Sequence, residues 1–419
     1  MKWRNGYVVV GSVLLLTACN GDEGSSADGE DVSLTMWTFD TVPYEEMAEE
    51  YMEEHPHITI QVENLDMEDH HNNLFNALSA SSGAPDMAMI EVSEMDRFQV
   101  AEDRFHNLYE YGAEDVTSDY LDWAWAVSEN TDGDFLFGLP TDIGPTVMFY
   151  RQDVFEEAGL PSEPEEVEEM IATWEDYEET ARTIYEETGK PMVDNPELIF
   201  NAQRDIRPEA YFNEEDELIM ETSTHVREAY DYTVDMIDEG TVGSVDMWSP
   251  EWGDAQAQGS YATMLAPAWM QGVIRNNAPD SDEWRVVTMP GDEGGNWGGS
   301  YMTVPAESEH PEEAYEFLAW MLSPDQQLEA FRADGLFPST PATYEMEEFQ
   351  NYSDEYFGGQ NTAQIFAEAA EDVSYIYKGR HYGMANEEVL EALMNVVDGS
   401  DAEQEWQAAV NRIDQQMNR

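Results

Sequence analysis

The side chains of this chain that can do chemistry are mostly aromatic and acidic. There are 12 tryptophans, and several of them fall at the ends of predicted elements. A flat indole ring covers an apolar face at low conformational cost. Carboxylate and guanidinium groups beside it hold hydroxyls by charge-assisted hydrogen bonds. Trp37 closes the first predicted strand, and open α/β sheets bind ligands beyond the carboxyl ends of their strands. Asp40 and Glu91 also follow strand ends. Trp297 precedes Gly298-Gly299, where missing side chains let backbone approach a ligand closely. Trp248 and Trp252 flank a helix start, and Trp269 follows the strand at Met264-Leu265. Arg380, His381 and Tyr382 form a basic–aromatic cluster that is rare in so acidic a chain. Together these residue types suit capture of a hydroxylated ring.

Signals for catalysis are weak. The sequence has no HExxH, GxSxG, Walker loop or CxxC, so no motif asks for a metal, a nucleotide or another cofactor. His70 and His71 are adjacent and are expected to point apart, which makes them poor joint metal ligands. Glycoside hydrolysis needs two carboxylates held across the scissile bond. With 91 acidic residues such pairs are unavoidable and carry no information.

Composition sets the surroundings. Against those 91 acids stand 17 Lys and Arg, for a net charge of −74 over 419 residues. Such a surface repels nucleic acid and anionic lipid. It suits brine, where molar salt shortens the Debye length to about 3 Å, and the pattern is that of a halophile's exported protein. Hydrophobic residues still make up 42 %, enough for large cores. The length predicts two or three domains' worth of chain.

Lys2 and Arg4 precede an apolar run, Tyr7 to Leu16, and then Leu16-Thr17-Ala18-Cys19 with the only cysteine. The run is short for a permanent span and has the order of a secretory signal. Leu-Thr-Ala-Cys resembles the bacterial lipobox, which makes residues 1–19 a lipoprotein signal peptide and Cys19 the acylated, palmitate-bearing anchor. Residues 20–31, rich in Gly, Ser, Asp and Glu, read as a flexible tether.

The elements that must position the candidate residues begin at Val32. Strands are predicted at Val32–Trp37, Ile58–Val62 and Asp86–Ile90, with helices over Tyr44–Tyr51 and Leu74–Ser81 between them. That alternation argues for a parallel sheet with right-handed crossovers. Thr173 and Ser249 are helix N-caps, Pro311 and Ser323-Pro324 open two further helices, and Gly335 ends the second. Two amphipathic helices fill about Glu387 to Met417, split at Asp398-Gly399-Ser400.

Seven segments in order resemble one family: His55-Pro56-His57-Ile58, Gly83-Ala84-Pro85-Asp86-Met87, Gly138-Leu139-Pro140-Thr141-Asp142, Met148 to Leu160, Thr173-Trp174, Gly259 to Trp269, and Trp297 to Leu318. They are similar to the extracellular sugar-binding proteins of ABC importers, the family of maltose-binding protein. The resemblance spans nearly the whole mature chain. Arg151-Gln152 departs from the family's usual Tyr-Asn, and Ala268 from its usual glycine. The resemblance implies an α/β, two-lobed periplasmic-binding-protein-like fold (class II), with two hinged domains and a ligand cleft between them. Residues 32–140 plus 296–338 would form the N-terminal lobe, and 145–290 plus 342–419 the C-terminal lobe. The crossings would fall near Pro140–Pro145, Pro290–Asn296 and Pro338–Pro341. It makes Trp269 the stacking ring, turns Asp142 toward the cleft, and brings Arg380 and Tyr382 to its edge. It implies a monomer that captures a mono- or oligosaccharide without turnover and delivers it to permease subunits at the extracytoplasmic face of the cell membrane. Two alternatives are a receptor for a compatible solute such as a betaine, boxed by rings, and an exported glycoside hydrolase.

Overall fold

The computed structural model describes residues 31–40, 42–292 and 294–418. The expected signal, the lipid anchor at Cys19 and the tether up to Glu30 lie outside the described residues.

Seven strands build one mixed, curled sheet: β1 (Val32–Phe39), β2 (Ile58–Leu65), β3 (Met87–Glu91), β4 (Gly138–Arg151), β5 (Thr263–Pro267), β6 (Trp284–Val287) and β7 (Asn296–Thr303). Their order is β2-β1-β3-β7-β4-β5, with β6 also on β4. β1 is parallel to β2 and β3, as the alternation with helices predicts. β7 then runs antiparallel to both β3 and β4, and β5 and β6 are antiparallel to β4, so the parallel expectation holds only for the first three strands.

Along β1, Val32, Leu34 and Met36 are buried, and Trp37 takes the opposite, half-buried register. Buried Met36 belongs to a core with Tyr44, Met47 and Tyr51 of the helix Tyr44–Glu54 and with Met302, Phe317 and Leu318. Each such burial stabilises by about 1.5–3 kcal/mol. A second core gathers Phe149, Met264, Trp284, Phe337 and Phe366 about β4, β5 and β6. A third is helical: Phe200, Tyr211, Tyr230, Leu393 and Trp406.

Helix boundaries follow capping chemistry. Thr173 and Ser249 accept the backbone N–H of Asp176 and Trp252, as expected of N-caps. The second helix starts earlier than its apolar spacing suggests, at Met67, because the Asp66 carboxylate accepts the N–H of Glu68. Likewise the penultimate helix begins at Tyr382 and runs to Val397, ahead of the expected Glu387.

β4 is buried over all 14 residues. Pro140 and Pro145 are tolerated inside it because the pairing with β7 shifts register at both. At Ile143 three segments run side by side. Its N–H donates to the Phe337 carbonyl at 3.0 Å, and its other neighbour is Gly299. Three residues on, Thr146 and Gly295 exchange bonds: Thr146 N–H to the Gly295 carbonyl, and Gly295 N–H to Thr146 Oγ1, each 3.0 Å.

Candidate functional site

Beside that junction lies a cavity of about 30 Å³. One wall comes from the segment after β3 (Val92, Asp96) and from Trp123 on the helix Asp122–Val127. The facing wall comes from Asp205, at the end of the helix Pro196–Asp205, and from Tyr375 and Lys378. Asn296, at the start of β7, joins the two. The volume admits about two waters, far short of the roughly 300–1,000 Å³ of a small-molecule site.

The charges in this region come from distant parts of the chain. Arg204 is 2 % exposed and forms a forked pair with Asp205, Nε to Oδ1 at 2.7 Å and Nη2 to Oδ2 at 2.9 Å. Its third nitrogen donates to Asn201 and Asn386. A Cβ at Gly295 would lie 2.3 Å from Asp205 Cβ, so only glycine lets the crossing chain pass so close. Burial pulls the Lys378 ammonium pKa down, and Asp205, Glu91 and Asp96 pull it back. Burial pushes Asp96 up, opposed first by the N–H of Gly379, which donates to its carboxylate at 2.6 Å.

Glu91 ends β3 half-buried. Its carboxyl is raised by burial and held back by Lys378 and by the Ser93 N–H at 2.7 Å. Its own N–H donates to His71 Nε2 at 3.1 Å, while His71 Nδ1 meets the Met67 carbonyl at 2.8 Å. An N–H can only donate and a carbonyl can only accept, so His71 is neutral with its proton on Nδ1. Burial and the neighbouring His70 push its pKa down to about 3. His70 also turns to the strand, at the Met89 carbonyl. The two rings meet edge-on with centroids 4.9 Å apart. They do not point apart as expected, because adjacent positions on this helix straddle its line of contact with the sheet. Among the described residues no group of three or more His, Cys, Asp or Glu could hold a metal.

Asp142 lies within β4, 6 % exposed, bonded by the Thr141 hydroxyl at 2.7 Å. Burial raises its pKa to about 6, and the Glu91 charge adds to the rise. Gly299, with φ +97°, lies so close that a Cβ would stand 2.6 Å from the Asp142 carbonyl.

Four indoles form a row that continues from the junction. Trp297 and Trp269 have centroids 5.3 Å apart at 57°, Trp269 and Trp248 stack at 6.1 Å and 19°, and Trp248 and Trp252 meet at 5.1 Å. Gly298, φ +92°, lets the Trp269 ring rest on backbone: a Cβ there would meet its Nε1 at 3.1 Å. At the buried end, Trp252 donates its indole N–H to Asp194, whose pKa burial raises to about 7. Between Trp269 and Trp252, Trp248 is 59 % exposed with φ +64°.

Of the residues singled out from sequence, Trp248, Trp269, Trp297, Gly298, Gly299 and Asp142 cluster about β4, β5 and β7. Glu91 reaches the same region through Lys378. Trp37 is half-buried on β1, and Asp40 is exposed just beyond it with φ +56°. Arg380 is exposed and paired with Asp216 at 3.1 Å. Tyr382 is buried in the helical core beneath Arg204. Neither lines the cavity, whereas Lys378, two positions before Arg380, does. Asp96, Trp123, Asp205 and Asn296 were not singled out from sequence either; the available signal was the Arg204-Asp205 doublet. Arg151, where the sequence departs from the family pattern, is structural: it pairs with Asp153 at 2.7 Å and donates to the Gln256 carbonyl.

A sheet crossed by three adjacent segments, with a cavity and an aromatic row beside the crossing, is the architecture of a solute-capturing protein. The sequence profile of the bacterial extracellular solute-binding proteins matches residues 46–356, and the chain belongs to that family. Family membership puts its work outside the cytoplasm. No helix among the described residues is long and apolar enough to cross a membrane. The chain is 26 % identical to the arabinooligosaccharide-binding protein of Bacillus subtilis (strain 168), over 91 % of this chain and 90 % of that one. A solved extracellular solute-binding protein of family 1 superposes with a TM-score of 0.88 at 32 % identity, covering 92 % of this chain and 99 % of that one. The galacto-N-biose-/lacto-N-biose I-binding protein of the Bifidobacterium longum ABC transporter, solved with lacto-N-biose, shares the fold at 22 % identity, with a TM-score of 0.76 over 93 % and 98 % of the two chains.

Proposed function

We propose that this protein is the carbohydrate-capturing component of an ABC importer, and that it takes a short oligosaccharide. The observation that carries the reading is the indole row Trp297–Trp269–Trp248 beside the crossing of β4 and β7, where Gly298 lies against Trp269 and Gly299 against the Asp142 backbone. Flat rings suit the apolar faces of sugar rings, and Glu91, Asp96 and Asp142 suit the hydroxyl rim. The relative's arabinooligosaccharide ligand makes arabinotriose the first sugar to try.

In this reading residues 32–140 plus 296–338 and residues 145–290 plus 342–419 are two lobes that swing about the junction at Ile143. The ligand bridges both and favours the closed arrangement by its differential contacts. The protein is a monomer, held to the membrane by acyl chains on Cys19, and it hands its cargo to permease subunits without altering it. Its acidic coat is an adaptation to brine. Trp269 and Trp248 are near-parallel at 19° while Trp297 and Trp252 tilt to 57° and 58° against their neighbours, so ring geometry does not separate sugar from betaine and the titration does.

Isothermal titration in high salt tests the reading, with arabinotriose, lactose, maltotriose and betaine as probes. A sugar bound with micromolar affinity or better, and no heat from betaine, is expected. Betaine binding with every sugar silent refutes the carbohydrate reading.

A further inference from the structure

The segment 373–380, between the helix Thr362–Asp372 and the helix Tyr382–Val397, has no regular structure, yet it supplies part of the cavity wall. It is fastened to its own side by Asp216. That carboxylate accepts the Tyr377 hydroxyl at 2.9 Å and the Arg380 N–H at 3.3 Å, and pairs with Arg380 Nε at 3.1 Å. Gly379 has φ +80°, and a Cβ there would stand 3.0 Å from Asp216 Oδ1 and 3.1 Å from Phe212 Cβ. Glycine therefore allows the backbone to turn its N–H away from this anchor and toward the other wall.

That N–H meets Asp96 at 2.6 Å, a bond between residues 283 apart in sequence. One residue earlier, the Lys378 ammonium lies in the field of Glu91 and Asp96 on the far wall and of Asp205 on its own. Its Nζ stands 4.9 Å over the Tyr382 ring.

We propose that Gly379 forms a latch: a strap anchored on one lobe by Asp216 that grips Asp96 of the other through its backbone N–H, with the Lys378 ammonium beside it, so that closure is set partly by the protein's own contacts and not by ligand alone. The inference rests on the two-lobed reading above. It follows from the bond between Gly379 and Asp96, which joins the two walls beside the cavity and would have to break for them to separate. Asp96, Lys378 and Gly379 are then positioning residues for capture.

The experiment measures the distance between nitroxide labels at Glu50→Cys and Glu387→Cys, both exposed positions on opposite sides, in the full chain with Cys19→Ser. Asp96→Ala removes the acceptor, and Lys378→Met keeps the side-chain length and removes the charge. Before any sugar is added, both variants are expected to shift the distance distribution to longer values than the parent, with unchanged circular dichroism. Asp96→Asn, which keeps an acceptor oxygen, is expected to fall between. With arabinotriose, Asp96→Ala is expected to close only at about tenfold higher sugar concentration. Folded variants with the parent's ligand-free distribution overturn the latch. If arabinotriose moves no protein but the ligand-free shifts are present, the latch stands and the choice of sugar fails.

Discussion

Gly144→Ala tests the junction most directly. A Cβ at position 144 would lie 2.0 Å from the Trp297 carbonyl oxygen and 2.7 Å from its carbon. An ordinary contact is 3.4 Å or more, so β4 and β7 must part locally by about 1.4 Å. The same backbone carries the Gly144 N–H bond to Asn296 Oδ1 at 2.8 Å and the Thr146–Gly295 exchange at 3.0 Å. Overpacking of this kind costs about 1–3 kcal/mol, and a hydrogen bond lost or stretched costs about 1 kcal/mol more. Against this, alanine for glycine stiffens the unfolded chain and stabilises by about 0.4–1 kcal/mol. The clash wins, and the variant is expected to be less stable by about 1–3.5 kcal/mol. Urea unfolding in high salt measures it: the midpoint should fall while the slope, set by surface exposed, stays constant. The displaced Trp297 should also weaken sugar binding. A midpoint at or above the parent's would refute the close approach of the crossing strands and the hinge built on it.

Other perturbations have defined outcomes. Trp269→Ala should weaken arabinotriose binding at least tenfold, about 1.4 kcal/mol; because the ring also packs on Trp297 and Trp248, it should cost roughly 1–2 kcal/mol of stability as well. Trp269→Phe should recover most of that stability, and unchanged affinity in the alanine variant would remove Trp269 from the site. Asp142 has a folded pKa of about 6 against roughly 3.9 unfolded. The native state thus binds more protons between these values, and the group's contribution is complete below about pH 4 and is lost as pH rises through 6. Asp142→Asn should therefore be more stable than the parent at pH 7, by on the order of 2–3 kcal/mol, with the difference vanishing below pH 4; a pH-independent difference contradicts the assignment. Raising sodium chloride from low to molar concentration should raise the melting temperature, since a net charge of −74 repels itself less when screened, and a flat salt profile would count against the brine reading.

What the sequence disclosed depended on how local each signal was. β1 and β2 alternate apolar and polar residues, and Thr173, Ser249 and Asp66 write helix starts into single side chains, although Asp66 was hidden by the polar first turn behind it. β4 was harder. Its prolines and Gly144 look like punctuation, and only the register shifts against β7 show how one buried strand contains them. The antiparallel course of β7 was not legible at all, because it depends on a chain returning after more than 140 residues to pair with β4. The aromatic row was largely legible, since its members sit at strand and helix ends. Asp96, Asp205 and Lys378 were not. In a chain with 91 acids an individual carboxylate is anonymous, and these three meet only through packing of remote segments.

The few basic residues clarify what the acids conceal. Arg151 and Arg204 are each under 5 % exposed and each held by a neighbouring aspartate, so their charges are spent inside the structure. Lys378 differs: its charge is shared among acids of both walls and fixed to none by a direct bond. A coat of negative charge repels anionic solutes at long range, while the wall around Lys378 approaches balance, with Arg204 offsetting Asp205 and Lys378 facing Glu91 and Asp96. A neutral, hydroxyl-rich molecule crosses that field without penalty and finds both donors and acceptors at the wall. An acidic sugar meets repulsion outside and surplus carboxylates within. On the proposed reading, selection against anionic solutes is therefore made twice, first by the surface and then by the half-buried wall, and salt weakens the first more than the second.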